Sequence, residues 1–177
     1  LYTAAYKWIG HFRGGLASAT IVGCAGFAAM SGSSIAAAVT MGRVALPEMK
    51  RFNYSDSLAT GAVAAGGTLG ILIPPSTGMI IYAILTEQSI GKLFIAGVLP
   101  GILLTALFIF AISIVTRLDP AKGPAGPKTS FGEKLSSLRN ASTIVGVVLV
   151  TIGGIYVGWF TPVEAAGVGA FIVLVIA

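Results

Sequence analysis

Two apolar stretches in this chain are too long to be single membrane crossings, and each is interrupted by residues that do not belong in a helix. The first runs from Gly14 to Pro47. As one continuous helix it would measure about 50 Å, against roughly 30 Å of bilayer hydrocarbon. It has to break, and Ser31-Gly32-Ser33-Ser34 is where the sequence permits it. The break leaves arms of about 17 and 13 residues, the second short for a full crossing. The expected structure is a helical hairpin over 14–47 that enters the membrane and returns. Lys7 and Arg13 precede it while Arg43, Lys50 and Arg51 follow it, which puts both ends on one face.

The second stretch, Ser55 to Leu85, carries Ile73-Pro74-Pro75-Ser76 past its middle. Consecutive prolines remove two backbone donors and push the preceding residue out of helical geometry. This predicts one crossing over 55–86 built from two half-helices. A span follows over 93–116, and then an aqueous loop over 117–141 holding Arg117, Lys122, Lys128, Lys134 and Arg139 around the linker Pro120 to Pro127. Ser130 with Glu133 has the spacing of a capping box, predicting a short helix along the membrane surface. Another crossing is expected over 142–160. Thr161-Pro162-Val163-Glu164 then opens a last helix over 162–177, with Thr as N-cap, Pro in the first turn and Glu reaching back. Residues 1–13 are read as an interfacial segment on the cytoplasmic side. With Leu1 at its start and Ala177 inside an apolar run, the sequence reads as part of a longer polypeptide.

Composition supports a membrane setting. Hydrophobic residues make up 55% and charged residues 10%, where a soluble domain carries about 25% charge. The chain is therefore read as an all-α integral membrane protein, and its 24 glycines suit helices that pack closely in lipid. Following the predicted path places the basic residues on one side, with the exception of Lys92. The positive-inside rule makes that side cytoplasmic, so the net charge of +5 reports topology and contact with anionic membrane lipid rather than nucleic-acid binding. Tyr6, Trp8, Tyr82 and Trp159 fall near span ends, as interfacial anchors do. Gly66/Gly70, Gly97/Gly101 and Gly154/Gly158 have the spacing of small-residue packing seams.

Little in the sequence points to an enzyme. There is no metal-ligand cluster; His11, the single histidine, sits beside Arg13 at an interface; Cys24, the single cysteine, is a packing residue in an apolar run. Glu164 reads as a helix cap before a proton carrier. What remains is the pair of breaks. Non-helical backbone at membrane depth is tolerated only where it is buried in protein or lines a watery cavity. The helix ends near Met30 and Ile73 direct carbonyls and partial negative charge at such a cavity, and those starting near Ser34 and Ser76 direct amides and partial positive charge. Together they would suit a cation and an organic anion. Two plainer readings stand beside this one: the serines as a turn between two full spans, and Pro74-Pro75 as a structural kink.

The run Gly67-Thr-Leu-Gly-Ile-Leu-Ile-Pro-Pro-Ser76, continuing through Thr86-Glu-Gln-Ser-Ile-Gly-Lys-Leu-Phe-Ile-Ala-Gly97 to Leu99-Pro-Gly101, resembles the large membrane subunit of tripartite ATP-independent periplasmic (TRAP) transporters. Met30-Ser-Gly-Ser-Ser34, Leu46-Pro-Glu-Met-Lys50 and Gly154-Ile-Tyr-Val-Gly-Trp-Phe-Thr-Pro-Val-Glu-Ala-Ala166 are similar to other parts of that family in the same order. One departure is Phe52-Asn53-Tyr54, where the family more often shows a Gly-Tyr pair.

The resemblance implies an ion-transporter-superfamily elevator fold, of which this chain would hold the first inverted repeat and the start of the second. It implies Na+-coupled uptake of small organic acids, such as dicarboxylates or sialic acid, across the bacterial inner membrane. The partners would be a small TRAP membrane subunit and a periplasmic substrate-binding protein. Carried over by residue, Na+ would sit among Ser31, Ser34, Gly70, Ile73 and Pro75, and the substrate carboxylate would meet Ser33, Ser76 and Thr77. A binding-protein-independent Na+/carboxylate symporter of the same superfamily, or a non-transporting membrane scaffold, are the alternatives.

Overall fold

A computed structural model describes residues 2–126 and 130–176, and these are helical with no strand. Leu1, Pro127, Lys128, Thr129 and Ala177, and the side chains of several residues in 131–144, Arg139 among them, lie outside the described residues. The order is α1 (Tyr2–Ile9), α2 (Gly15–Ser31), α3 (Ser34–Arg51), α4 (Asp56–Leu72), α5 (Thr77–Leu85), α6 (Ile90–Leu118), a 3-10 turn at Pro120–Lys122, α7 (Phe131–Val157) and α8 (Pro162–Ile176).

Helix α2 lies at the centre. Its sequence, GLASATIVGCAGFAAMS, is apolar or small on every face, and a helix of that kind is stable only when surrounded. Leu16, Ala17, Ala19, Cys24 and Ala28 are fully buried, with α4 packed alongside both α2 and α3. Small residues set the closeness: a Cβ added at Gly66 of α4 would lie 2.7 Å from the Cys24 sulfur, and one at Gly67 would lie 2.8 Å from the Ala38 Cβ. Gly97 and Gly101 similarly admit Met79 and Ile73 to the surface of α6. Gly154 and Gly158 do something else. Gly158 caps α7 at φ 84°, and Gly154 meets the Phe160 ring of the same turn, so this pair shapes a reversal and is not a helix-packing seam.

Helix α6 presents Leu99, Ile102, Leu103, Leu107, Phe110 and Ile114 outward. Its 29 residues span about 43 Å, long enough to cross a bilayer with tilt. The stretch Asp56–Leu85 is likewise apolar and long enough to cross.

Several boundaries differ from those the sequence predicts. Helix α3 continues through Pro47 to Arg51 and has 18 residues, so the second hairpin arm is as long as the first. Pro47 removes one hydrogen bond without ending the helix, while Met41, Ala45 and Met49 keep one buried stripe running along it. The segment 1–13 contains a helix whose Tyr2 is buried against the core, so it is partly packed rather than wholly interfacial. Helix α6 starts and ends beyond 93–116. The surface helix and the crossing expected over 142–160 are a single helix, α7, and Ser130 makes no side-chain capping bond at its start. No proline lies between Phe131 and Val157 to separate the two, and the first turns of α7 rest on α1, with the Lys134 ammonium 5.9 Å from the Trp8 ring centre.

Candidate functional site

The two breaks meet. Helix α2 ends at Ser31 and Gly32 caps it in the left-handed conformation at φ 60°, its amide bonded to the Ala28 carbonyl. Ser33 then opens α3 as an extended N-cap whose hydroxyl accepts from the Ala36 amide at 3.3 Å. On the other chain segment α4 ends at Leu72, Ile73 is extended, the Pro74-Pro75 bond is cis, and Ser76 is the N-cap of α5. The hairpin tip sits against this second break at two points. A Cβ at Gly70 would lie 2.7 Å from both the Ser33 carbonyl carbon and the Ser34 nitrogen, and a Cβ at Gly32 would lie 2.5 Å from the Pro75 oxygen. Neither approach leaves room for a side chain.

Of the eight residues named from the sequence, the structure thus brings Ser33, Ser34 and Gly70 into one contact region and places Pro75 against Gly32. Ser31 stays at the tip, where its hydroxyl accepts from the Ser33 amide at 3.5 Å. Ile73 turns its side chain toward Gly101 of α6. Ser76 is wholly buried while Thr77 is exposed.

The expected free helix ends are only partly free. The Thr77 amide donates to the Gly32 carbonyl at 3.3 Å, so one first-turn donor of α5 is satisfied by the hairpin and not left for a ligand. The Ala36 amide is taken by Ser33. The amides of Gly78 and Met79 have no acceptor among the described residues, and they remain as donors at the start of α5. Gly32 and Gly67 contribute contacts that reading side-chain chemistry alone does not reveal.

Two hydroxyls stand out. The Oγ atoms of Ser34 and Ser76 are buried with no hydrogen-bond partner. Ser76 occupies an N-cap position, where serine ordinarily accepts from the first turn, yet makes no such bond. Burying a hydroxyl unpaired costs about 1–3 kcal/mol. No Asp, Glu, Lys or Arg occurs between Arg13 and Arg43 or between Asp56 and Glu87. Fixed electrostatics at the breaks therefore come from helix ends and hydroxyl dipoles. The donor set is hydroxyl and carbonyl oxygen, which suits a hard cation, and no group of three His, Cys, Asp or Glu among the described residues could hold a metal otherwise.

A cavity of about 430 Å³ adjoins the proline break, lined by Ala25, Ala29, Ile73, Pro74, Ile152 and Tyr156 among others. Its polar groups are few, and it offers nothing to balance a charge. It is apolar space among α2, the proline break, α6 and α7, and none of the tip serines lines it.

These breaks coincide with the segments that carried the family resemblance, and comparison with known proteins decides the matter. The pattern of the family described as "Tripartite ATP-independent periplasmic transporter, DctM component" matches residues 1–177.

The chain belongs to the DctM family.

It is 49% identical over 162 residues to the C4-dicarboxylate TRAP transporter large permease protein DctM of Pseudomonas aeruginosa, covering 92% of this chain and 38% of that protein. It is 44% identical over 159 residues to the ectoine TRAP transporter large permease protein TeaC of Halomonas elongata, covering 90% and 37%. The sialic acid TRAP transporter permease protein SiaT of Haemophilus influenzae is 36% identical over 171 residues, covering 96% and 27%. The DctM-family chain therefore spans well under half the length of these relatives. The family is one of membrane transport components and not of enzymes.

Proposed function

We propose that this chain supplies half of the ion and substrate site of a Na+-coupled permease for small organic acids. It would work in the bacterial inner membrane with a small membrane subunit and a periplasmic binding protein that delivers the cargo. The single observation that carries this reading is the seating of the hairpin tip in the proline break, with two buried, unpartnered hydroxyls beside it. A membrane protein built only for packing gains nothing from unpaired Ser34 and Ser76 hydroxyls, since alanine would fill the same space without the desolvation cost.

In this reading Ser31, Ser34 and carbonyls near Gly70, Ile73 and Pro75 hold a sodium ion, which would supply positive charge beside the helix ends. Ser33, Ser76, Thr77 and the unpaired amides of Gly78 and Met79 face the carboxylate. The ion offsets the negative ends of α2 and α4, and the positive end of α5 meets the anion. Hairpin and broken helix are locked together by the Gly32–Thr77 bond and the Gly70 contact, so an alternating-access motion of the elevator kind would carry them as one body. Among cargoes, C4-dicarboxylates come first because relatives named for them reach 49% and 43% identity.

The test is uptake by the intact complex in proteoliposomes. Radiolabelled succinate should accumulate only with an inward Na+ gradient and the binding protein present. Accumulation that persists when Na+ is replaced by K+ removes the coupling ion from the proposal. Accumulation without binding protein supports the binding-protein-independent alternative.

A further inference from the structure

Far from the breaks, at the opposite ends of the same helices, a second set of contacts ties the chain together. Tyr54 lies in the turn between α3 and α4 and is 5% exposed. Its hydroxyl accepts from the Leu16 amide in the first turn of α2 at 3.2 Å and donates to the Pro124 carbonyl at 2.9 Å. Around it the segment after α6 makes three backbone bonds: Gly14 N–H to Gly123 O at 2.9 Å, Ser55 N–H to Lys122 O at 3.0 Å, and Gly126 N–H to Gly10 O at 2.9 Å. Gly123 sits so close that an added Cβ would be 2.6 Å from the Thr116 methyl and 3.2 Å from the Gly14 Cα. The starts of α2 and α4 and the end of α6 thus share one fastening, although the three are remote in sequence.

We infer that Tyr54 is a positioning residue that, with residues 119–126, clasps the starts of α2 and α4 to the end of α6 and thereby fixes the register in which the two breaks meet. Both helices pack on small residues, and a seam of Gly and Ala offers few side-chain interlocks against translation. The Gly32 and Gly70 contacts tolerate no such slippage. A fastening at the far end supplies the missing constraint. Only a hydroxyl that both accepts and donates can serve Leu16 and Pro124 at once, and burial raises the Tyr54 pKa, keeping the phenol protonated as a donor.

The exchange arm of the test stands whether or not the chain transports, while the transport arm rests on the proposed function. In the full-length permease complex, Tyr54→Phe leaves the buried Leu16 amide and the half-buried Pro124 carbonyl without this partner. Amide exchange over residues 10–16 and 119–126 should rise by roughly tenfold, and the Na+ concentration for half-maximal uptake should rise as well. In the same variant, cysteines at Ser55 and Lys122 joined by a short thiol cross-linker should restore the Na+ concentration for half-maximal uptake toward that of the unsubstituted protein, while exchange of the Leu16 amide stays raised because its acceptor is gone. With Tyr54 intact, the cross-linked protein should transport as fast as its reduced form, because the clasp stays closed. Unchanged exchange in Tyr54→Phe overturns the inference. So does failure of the cross-link to restore the variant, or a cross-link that stops transport with Tyr54 present. If the variant does not fold, the cross-linked protein with native Tyr54 decides alone.

Discussion

The carbonyl of Gly32 accepts a hydrogen bond from the amide of Thr77 at 3.3 Å. One residue caps the first arm of the hairpin and the other begins the second half of the broken helix. The bond crosses between the two breaks, satisfying an acceptor that the end of α2 exposes and a donor that the start of α5 exposes. Each break thus completes part of the other's backbone hydrogen bonding.

Gly32→Ala tests that junction. The left-handed backbone at φ 60° costs a residue with a Cβ about 1–2 kcal/mol, and the new methyl would lie 2.5 Å from the Pro75 oxygen. The variant should unfold at lower temperature in detergent and lose at least about tenfold in uptake rate, as a penalty of this size separates the tips. Wild-type uptake would show that the two breaks need not touch.

Gly70→Ala places a methyl 2.7 Å from the backbone of Ser33 and Ser34. Backbone cannot rotate away as a side chain can, so the hairpin tip must shift. Half-saturation by Na+ should move upward by roughly tenfold, equivalent to about 1.4 kcal/mol. Gly61→Ala on the same helix is the control: nothing lies within 4 Å of its Cβ position, and it should be neutral or stabilise by about 0.5–1 kcal/mol.

Ser34→Ala and Ser76→Ala separate an ion site from a packing defect. Removing a buried unpaired hydroxyl should leave thermal stability unchanged or raise it by about 1 kcal/mol. Ser34→Ala should raise the Na+ concentration for half-maximal uptake, as loss of an ion ligand does, whereas Ser76→Ala should raise the half-saturating substrate concentration instead. Ser31→Ala should raise the Na+ requirement too. Titrating uptake against Na+ and against substrate reads the result; unaltered Na+ half-saturation in the Ser31 and Ser34 variants, and unaltered substrate half-saturation in the Ser76 variant, remove these serines from the site.

Glu164 gives a pH prediction. Its carboxylate accepts from the Thr161 amide and hydroxyl, both at 2.8 Å, and these bonds hold its pKa below the ordinary value. The lowered pKa means the cap stabilises α8 fully above the unfolded-state carboxyl range, and the benefit fades as pH falls through the lower folded value. Protection of the Thr161 amide, its exchange rate taken relative to the intrinsic rate at the same pH, should therefore fall on acidification in the native protein. In Glu164→Gln the acid-dependent component should vanish.

The breaks were legible in the sequence because their causes are local. Two prolines forbid a continuous helix wherever they stand, and Ser-Gly-Ser-Ser invites a reversal in an otherwise apolar run. Thr161 and Glu164 were equally legible, since a capping box is contained within four residues. At Ser130 the pattern marked the residue before the first turn of α7, although its side chain makes no capping bond; what four residues could not show is that the helix runs on unbroken to Val157. Pro47 misled because a buried stripe through Met41, Ala45 and Met49 outweighs one missing hydrogen bond. Least legible was Tyr54, whose partners Leu16 and Pro124 are 38 and 70 residues away. The sequence shows a tyrosine in a turn, and only the packed structure shows what it joins.

The burial of Cys24 against Gly66 has a practical side. Its thiol is 0% exposed and faces the backbone of a neighbouring helix with no space for a reagent to enter. This stretch of chain consequently brings no reactive sulfur of its own to a labelling experiment. Cysteines introduced at the tip serines or along the clasp can report water access and movement there, with the native thiol left in place to hold α2 and α4 at their natural spacing.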